Sequence, residues 1–359
     1  MNEALVLSQV NKNIKFRKVL DSMMKAMVLN ELGNPASLTY KEVDIPSPTE
    51  GEVVVKLKAA AVNRRELMII KDQYPGAIAP IILGSDGAGE VYSLGNPVKN
   101  FSVGDQVIIN PGLNWGKDNN KKNVDFSILG MPQNGTYAEY VKVPIENIVE
   151  KPTHLSWEEA VSLPLAGLTA YRALVTKGNV QKGEKVLIPG AGGGVATFLI
   201  QFAHALGAEV YVTSSKEDKI NKAMELGAIG GVKYTEDNWV EQLLDLTDGI
   251  DLSIDSVGGD SFKSLITLGK IGSRIVNFGS TRGPANNLFL PSLTLKEMSI
   301  IGSTMGSADD FSKMTKLVNK KEIHPVINRA YSLHEVKKAL DRIEKGQHFG
   351  KIVLTMNEI

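Results

Sequence analysis

The segment that most constrains the fold is the glycine-rich stretch 185–215, KVLIPGAGGGVATFLIQFAHALGAEVYVTSS. An apolar strand pattern ends at Pro189, glycines follow, and apolar residues then recur at helical spacing before a second strand pattern. A backbone without Cβ atoms can turn tightly against a pyrophosphate, and the N-terminus of the next helix offers free N–H groups to it. Ala196 takes the last, helix-packing position of the dinucleotide fingerprint, which tolerates alanine. The pattern predicts a phosphate cradle made of Gly192, Gly193, Gly194 and Val195.

The end of the second strand indicates which dinucleotide binds. A site for NAD carries an acid about 20 residues beyond the glycines, where it binds the ribose 2′-hydroxyl. Here that region reads Ser214, Ser215 and Lys216, and the first acid is Glu217. Hydroxyls and an ammonium suit a 2′-phosphate, so the sequence predicts NADPH as cofactor. An ordinary polar turn that caps the next helix is the alternative interpretation.

The chain changes its pattern near Pro152. Before it, short Val- and Ile-rich stretches alternate with Gly and Pro, as in 51–62, 87–95 and 104–111, which is typical of an all-β domain. The polar stretch 113–123 is predicted to be a surface excursion. After Pro152, strand patterns alternate with helical ones, which predicts an α/β unit with a doubly wound parallel sheet. The predicted strands are 185–189, 209–214, 231–234, 251–256, 274–279 and 299–304.

Composition excludes several classes of protein. Lys plus Arg and Asp plus Glu each number 40 in 359 residues, so no overall positive field favours nucleic acid or an anionic membrane. Cysteine is absent, which excludes disulfides, thiolate catalysis and cysteine-bound metal. No apolar run is long enough to span a bilayer. We expect a cytoplasmic protein acting on a small molecule. Residues 1–23 lack a signal-peptide core and are predicted to be an extension of unknown role.

Nine phrases, in this order and spacing, resemble the medium-chain dehydrogenase/reductase superfamily: VNRREL, LGSDGAGEV, FSVGDQVI, GTYAEY, LPLAGLTAY, GAGGGVATFLIQFA, DSVGGDSF, RIVNFGS and HFGKIVL. The resemblance implies a GroES-like β domain plus a Rossmann domain, with the active site in the cleft between them. It places the GroES-like catalytic domain at 24–151 and 309–359 and the Rossmann domain at 152–308.

The metal positions of that superfamily differ in this chain. Its zinc-dependent members bind the ion through a cysteine and a Gly-His-Glu histidine, and the corresponding residues here are Asn63 and Ser85. Neither residue is a good zinc ligand, and the five histidines show no ligand spacing. The chain therefore resembles the zinc-free, quinone-oxidoreductase-like branch, and we predict no metal site.

The same branch suggests further site residues. The resemblance places Asn63 and Tyr74 near the nicotinamide and substrate as catalytic groups, although Asn63 could instead cap a helix and Tyr74 could pack a loop. The remaining residues implied to bind the cofactor are Thr169 at its reactive end, Ser215, Lys216 and Tyr234 around the adenosine phosphate, and Phe278, Gly279, Ser303, Met305, Phe349 and Lys351 in the covering loops.

The predicted function is hydride transfer from NADPH to a quinone, an enone or a related activated carbonyl or alkene. A 2-enoyl-thioester reductase and a non-catalytic NADPH-binding sensor remain alternatives. The apolar segment 299–304 should form an edge strand, which predicts a homodimer joined along that edge. The alternative is a monomer in which a helix starting at 307–311 folds back over the edge.

Overall fold

The computed structural model describes residues 22–97, 100–286 and 288–356. Nearly all of the predicted extension 1–23 therefore lies outside the described residues. The first half of the chain is rich in strands, as the sequence predicts. Its elements are β1 (Met23–Leu29), β2 (Leu38–Asp44), β3 (Glu52–Val62), α1 (Arg64–Ile70), β4 (Ile81–Ile82), β5 (Asp86–Leu94), β6 (Gln106–Ile109), β7 (Gly112–Leu113), β8 (Ser127–Ile128), β9 (Tyr140–Pro144) and β10 (Ile148–Glu150).

Strand β3 is the centre of this half. It pairs antiparallel with β5 and, through its first residues, with β9. The alanines Ala59, Ala60 and Ala61 are fully buried, because the strand is covered on both faces. A Cβ on Gly89 of β5 would lie 2.1 Å from the carbonyl oxygen of Lys56, so glycine is needed where the two strands approach.

The second half alternates helices with strands. Its elements are α2 (Trp157–Ser162), α3 (Pro164–Tyr171), β11 (Lys185–Ile188), α4 (Gly194–Ala205), β12 (Glu209–Ser214), α5 (Glu217–Glu225), β13 (Ala228–Lys233), α6 (Trp239–Thr247), β14 (Ile250–Asp255), α7 (Phe262–Leu268), β15 (Gly269–Asn277), α8 (Leu290–Leu295) and β16 (Ser299–Gly302). The six strands form one parallel sheet in the order β13-β12-β11-β14-β15-β16. This is the doubly wound Rossmann order, which confirms the predicted fold class.

The end of the chain returns to the first sheet. It comprises α9 (Ala308–Lys321), β17 (Ile327–Ser332), α10 (Val336–Glu344) and β18 (Lys351–Thr355). Strand β18 pairs antiparallel with β3 and parallel with β17. The last strands thus complete the β-rich sheet, while the numerical domain boundaries stay predictions. Helix α9 packs against α3.

The segment 113–123 is less exposed to solvent than its polar composition suggests. Many of its residues are exposed, but Leu113 and Trp115 are buried. The guanidinium of the buried Arg172 lies 4.7 Å from the Trp115 ring centroid and donates to the carbonyl oxygens of Asn119 (2.9 Å) and Asn120 (2.8 Å). The prediction of a simple surface excursion is wrong for the buried part, because a cation from the second half anchors it.

Ser156 caps α2 in a capping box with Glu159. Asn63 is the N-cap residue of α1, which is the alternative that the sequence left open for it. The predicted edge strand is confirmed, because β16 lies at the edge of its sheet. Over the described ranges, no helix is long and apolar enough to cross a membrane.

Candidate active site

A cavity of about 540 Å³ opens where the two halves meet. Its walls come from the end of β3 and the start of α1, from the turn between β11 and α4, and from the segment that leads into β18. Ligands of open α/β sheets bind at the carboxyl ends of the strands, and this cavity lies there.

The glycine turn forms the floor of the cavity. Gly192 adopts φ +132°, a conformation that side chains disfavour, and a Cβ on Gly193 would meet nothing within 4 Å. The Gly350 N–H donates to the Gly192 carbonyl oxygen at 2.9 Å and so ties the turn to the last strand. Gly193 is the N-cap residue of α4, so free N–H groups of the first turn surround an open backbone surface. These residues fit a dinucleotide pyrophosphate.

The carboxyl end of β12 borders the same cavity. Thr213, Tyr234 and Arg282 line this end, and the Arg282 guanidinium stacks 5.1 Å above the Tyr234 ring centroid. Lys219 also lines the cavity, and its Nζ would lie 3.2 Å from a Cβ on Gly192. Burial, and then the neighbouring Lys216 and Lys222, lower the pKa of Lys219. An anion bound here would relieve that repulsion.

The opposite end of the cavity borders a buried polar cluster made of Asn63, Glu66, Ser85, Asp86 and Lys351. The Lys351 ammonium donates to Asn63 Oδ1 at 2.6 Å, to Asp86 Oδ2 at 2.9 Å and to the Val62 carbonyl at 3.2 Å. The Asn63 amide nitrogen donates to Asp86 Oδ2 (2.9 Å) and Ser85 Oγ (3.2 Å). All hydrogens of the ammonium and of the Asn63 amide therefore have partners within the protein.

The two carboxylates of this cluster face two cations, Asp86 the Lys351 ammonium and Glu66 the Arg65 guanidinium at 3.7 Å. Asp86 accepts from Lys351 and, through Oδ1, from the backbone N–H of Leu165 in the first turn of α3 at 2.7 Å. Glu66 accepts from the Ser85 hydroxyl at 2.9 Å and from the Asn63 backbone N–H at 2.8 Å. Burial raises the pKa of Glu66 and, with Glu66 and Asp86 nearby, that of Tyr137. Tyr137 is therefore neutral at physiological pH.

This cluster does not suit a zinc ion. The two positions that correspond to zinc ligands hold an amide and a hydroxyl, and a lysine ammonium lies among their oxygens. Zinc prefers thiolate, imidazole and carboxylate ligands, and the ammonium would repel it. In the parts of the chain that the structure describes, no group of three or more His, Cys, Asp or Glu side chains could hold a metal.

The structure brings some of the predicted residues to the cavity. Those lining it are Asn63, Gly192, Gly193, Gly194, Val195, Tyr234, Phe278, Gly279 and Lys351. Those that do not line it are Tyr74, Thr169, Ser214, Ser215, Lys216, Ser303, Met305 and Phe349. The Thr169 hydroxyl donates within its own helix to the Leu165 carbonyl, and Lys216 is exposed at the N-cap of α5. Tyr74 lies beneath the guanidinium of Arg65.

Several lining residues were missed by sequence reasoning. Arg65 lies two residues after Asn63, and Lys219 lies one helical turn beyond Lys216. His348 also lines the cavity, and burial, followed by the charge of Lys219, lowers its pKa to about 4. A lysine five residues past the end of β12 was a signal for Lys219, because it falls in the first turn of α5, which faces the glycines.

Comparison with known proteins identifies the family. Residues 49–153 match the family model of the alcohol dehydrogenase GroES-like domain, and residues 194–320 match that of zinc-binding dehydrogenases. A zinc-type alcohol dehydrogenase-like protein of Schizosaccharomyces pombe is 33% identical over 93% of this chain and 99% of its own. An acryloyl-coenzyme A reductase of Metallosphaera sedula is 31% identical over 92% of this chain and 100% of its own. A solved NAD-dependent alcohol dehydrogenase superposes with a TM-score of 0.89 at 36% identity, covering 93% of this chain and 100% of that one.

The chain therefore belongs to the medium-chain dehydrogenase/reductase superfamily, among its zinc-type alcohol dehydrogenase-like members. It is an oxidoreductase with a GroES-like domain and a Rossmann domain, of a family whose members use nicotinamide dinucleotides.

Proposed function

We propose that the protein uses NADPH to reduce quinones and alkenes that are conjugated to a carbonyl group, the quinones through their own carbonyls, and that it does so without zinc. The observation that carries the proposal is the Lys351 ammonium, which lies between Asn63 and Asp86 where a metal would need ligands. Without a Lewis acid, charge on a simple alkoxide has little stabilisation. A conjugated acceptor spreads that charge over an enolate or quinol oxygen, which hydrogen-bond donors can stabilise. The dinucleotide would supply the hydride, and the chain would supply position and electrostatics.

Within this proposal Asn63 becomes a positioning residue, and Tyr74 would not contact the substrate directly in the structure as it stands. Asn63 is held by Lys351, Ser85 and Asp86, so it positions the cavity wall and has no spare amide hydrogen for a substrate. The Arg65 guanidinium lies over the ring of Tyr74, so Tyr74 would support Arg65 and would not itself line the cavity. The proton that completes the reduction would come from solvent or from Tyr74 after a side-chain movement.

A second candidate is a 2-enoyl-thioester reductase. The relatives from Metallosphaera sedula and Sulfurisphaera tokodaii, both 31% identical, are named acryloyl-coenzyme A reductases. An acryloyl thioester is itself a conjugated alkene, so both candidates need the same site chemistry.

Substrate tests separate conjugate reduction, which both candidates share, from alcohol dehydrogenation and from cofactor binding without turnover. We expect NADPH oxidation with an enone, a quinone or an enoyl thioester to show a higher kcat/KM than with the matched saturated aldehyde, because only the conjugated acceptors delocalise the added charge. Steady-state absorbance of NADPH measures this ranking. Preferential turnover of the saturated aldehyde or of its alcohol would contradict the proposal, and NADPH binding without any turnover would favour a sensor.

Cofactor choice can be tested with two lysines. If Lys219 binds the 2′-phosphate, Lys219→Met should raise the Kd of NADPH about 10- to 100-fold and that of NADH much less, since hydrogen bonds to charged groups contribute about 1.5–3 kcal/mol. Lys216→Met, at an exposed lysine outside the cavity, is the matched control. Fluorescence titration measures both constants. A larger loss for Lys216→Met would return the assignment to Lys216, and equal losses for both cofactors would refute 2′-phosphate binding.

We further propose a homodimer joined at strand β16. Ile300 in this strand is 43% exposed, and Phe289, Leu290 and Leu295 beside it are more exposed still. Helix α9 packs on α3, and the residues of β16 are exposed or half-buried. An exposed apolar strand edge favours pairing with a second copy across a two-fold axis.

The cytoplasmic location stays a prediction.

Sedimentation velocity tests the dimer. We expect a dimer at micromolar concentration and a shift to monomer in Ile300→Lys, because the substitution puts charge into the apolar edge. Val103→Lys, at a 67% exposed apolar residue in the other domain, should leave the dimer intact. A monomeric unmodified protein would rule the dimer out.

A further inference from the structure

Arg65 is a buried cation on the wall of the cavity, beside Asn63. Only 8% of the residue is exposed. Its Nη1 donates to the Leu129 carbonyl oxygen and its Nη2 to the Ile128 carbonyl oxygen, each at 3.0 Å. The Tyr74 ring lies 5.1 Å from the guanidinium carbon and covers one face. The guanidinium is therefore fixed in position before any ligand binds.

The hydrogen bonds of Arg65 leave donors unused. A guanidinium has five N–H groups, and the two carbonyl oxygens take two of them. Among the described residues, the Nε–H is a buried donor without a partner. The nearest carboxylate oxygen, Glu66 Oε1, is 3.7 Å from Nη1 and already accepts from the Ser85 hydroxyl. Arg65 and Glu66 thus form a buried ion pair without a direct hydrogen bond between them, and N–H groups of the guanidinium stay available to a ligand.

Two other nearly buried cations have a carboxylate oxygen at hydrogen-bond distance. Lys351 donates to three oxygens, one of them a carboxylate oxygen. Arg172 lies 2.5 Å from Asp310 Oδ2 and donates to two carbonyls, although its Nε–H, like that of Arg65, has no partner among the described residues. Arg65 lacks such a close carboxylate, and a buried cation with unused donors on a cavity wall can bind an anion or a developing negative charge.

We propose that Arg65 binds the carbonyl oxygen of the substrate and stabilises the negative charge that forms there. This inference rests on the proposed conjugate reduction. In that reaction a hydride adds to the β-carbon, the alkene electron pair moves to form an enolate, and a proton from solvent or from Tyr74 then adds to the α-carbon. The charge that forms on the enolate oxygen would lie against the guanidinium cation. Arg65 would then supply the electrostatic stabilisation that a metal supplies elsewhere.

Binding of 4-nitrophenol to the protein–NADP⁺ complex tests this without turnover. The phenolate resembles an enolate oxygen, and its absorbance reports which form is bound. We expect the unmodified protein to bind the phenolate and to lower the apparent pKa of the bound phenol. In Arg65→Met the phenolate affinity should fall about 10- to 100-fold, as expected for a lost hydrogen bond to a charged group. Arg65→Lys, which keeps the charge, should recover part of the loss.

Controls separate this inference from the proposed function. Arg64→Met removes the exposed neighbouring cation on the same wall and should change phenolate affinity less than threefold, by the same energy scale. NADP⁺ affinity and the thermal unfolding midpoint report whether Arg65→Met stays folded. Arg65-dependent phenolate binding without reduction of any conjugated substrate would sink the proposed function and leave the anion site standing. The role of Arg65 would be overturned if the unmodified protein bound nitrophenol only in its neutral form. Equal losses of phenolate affinity in Arg65→Met and Arg64→Met would overturn it as well.

Discussion

The site depends on the three hydrogen bonds that the Lys351 ammonium donates. The ammonium joins the first residue of β18 to the end of β3 through Val62 and Asn63, and to the start of β5 through Asp86. Asp86 in turn accepts from the first turn of α3, at the entry to the Rossmann half. The aliphatic part of Lys351 also lies against Gly194, where a Cβ would be 2.7 Å from its Cδ. A single buried cation thus joins three strands of the first sheet to the start of α3 and to the glycine cradle.

A second buried cation fixes the far side of the domain junction. Arg172, 1% exposed, binds the segment 113–123 through backbone carbonyls and pairs with Asp310 of α9. Asp310 is itself held by Ser307 and by the Thr176 hydroxyl at 2.6 Å. In both places a side-chain cation with good hydrogen-bond geometry organises loops from distant parts of the chain. Such buried pairs specify an arrangement more than they stabilise it.

Much of the fold could be predicted because its signals are local. The glycine turn, the alternation of strands with helices and the capping residue Ser156 each depend on neighbours in sequence. The burial of Trp115 could not be predicted from the sequence, because it follows from stacking against Arg172, which belongs to the other half of the chain. The choice between Lys216 and Lys219 depends on the rotation of α5 relative to the cradle, which boundary errors of a residue or two obscure.

We propose that the protein's own cations replace a metal ion. Metal content and activity measured on one sample, by elemental mass spectrometry and NADPH oxidation before and after strong chelation, test this proposal. We expect far less than one zinc ion per chain and the same kcat with a conjugated substrate after chelation, because Lys351 fills the space between Asn63 and Asp86. One zinc ion per chain, lost together with activity and restored with it, would show that a metal is needed after all.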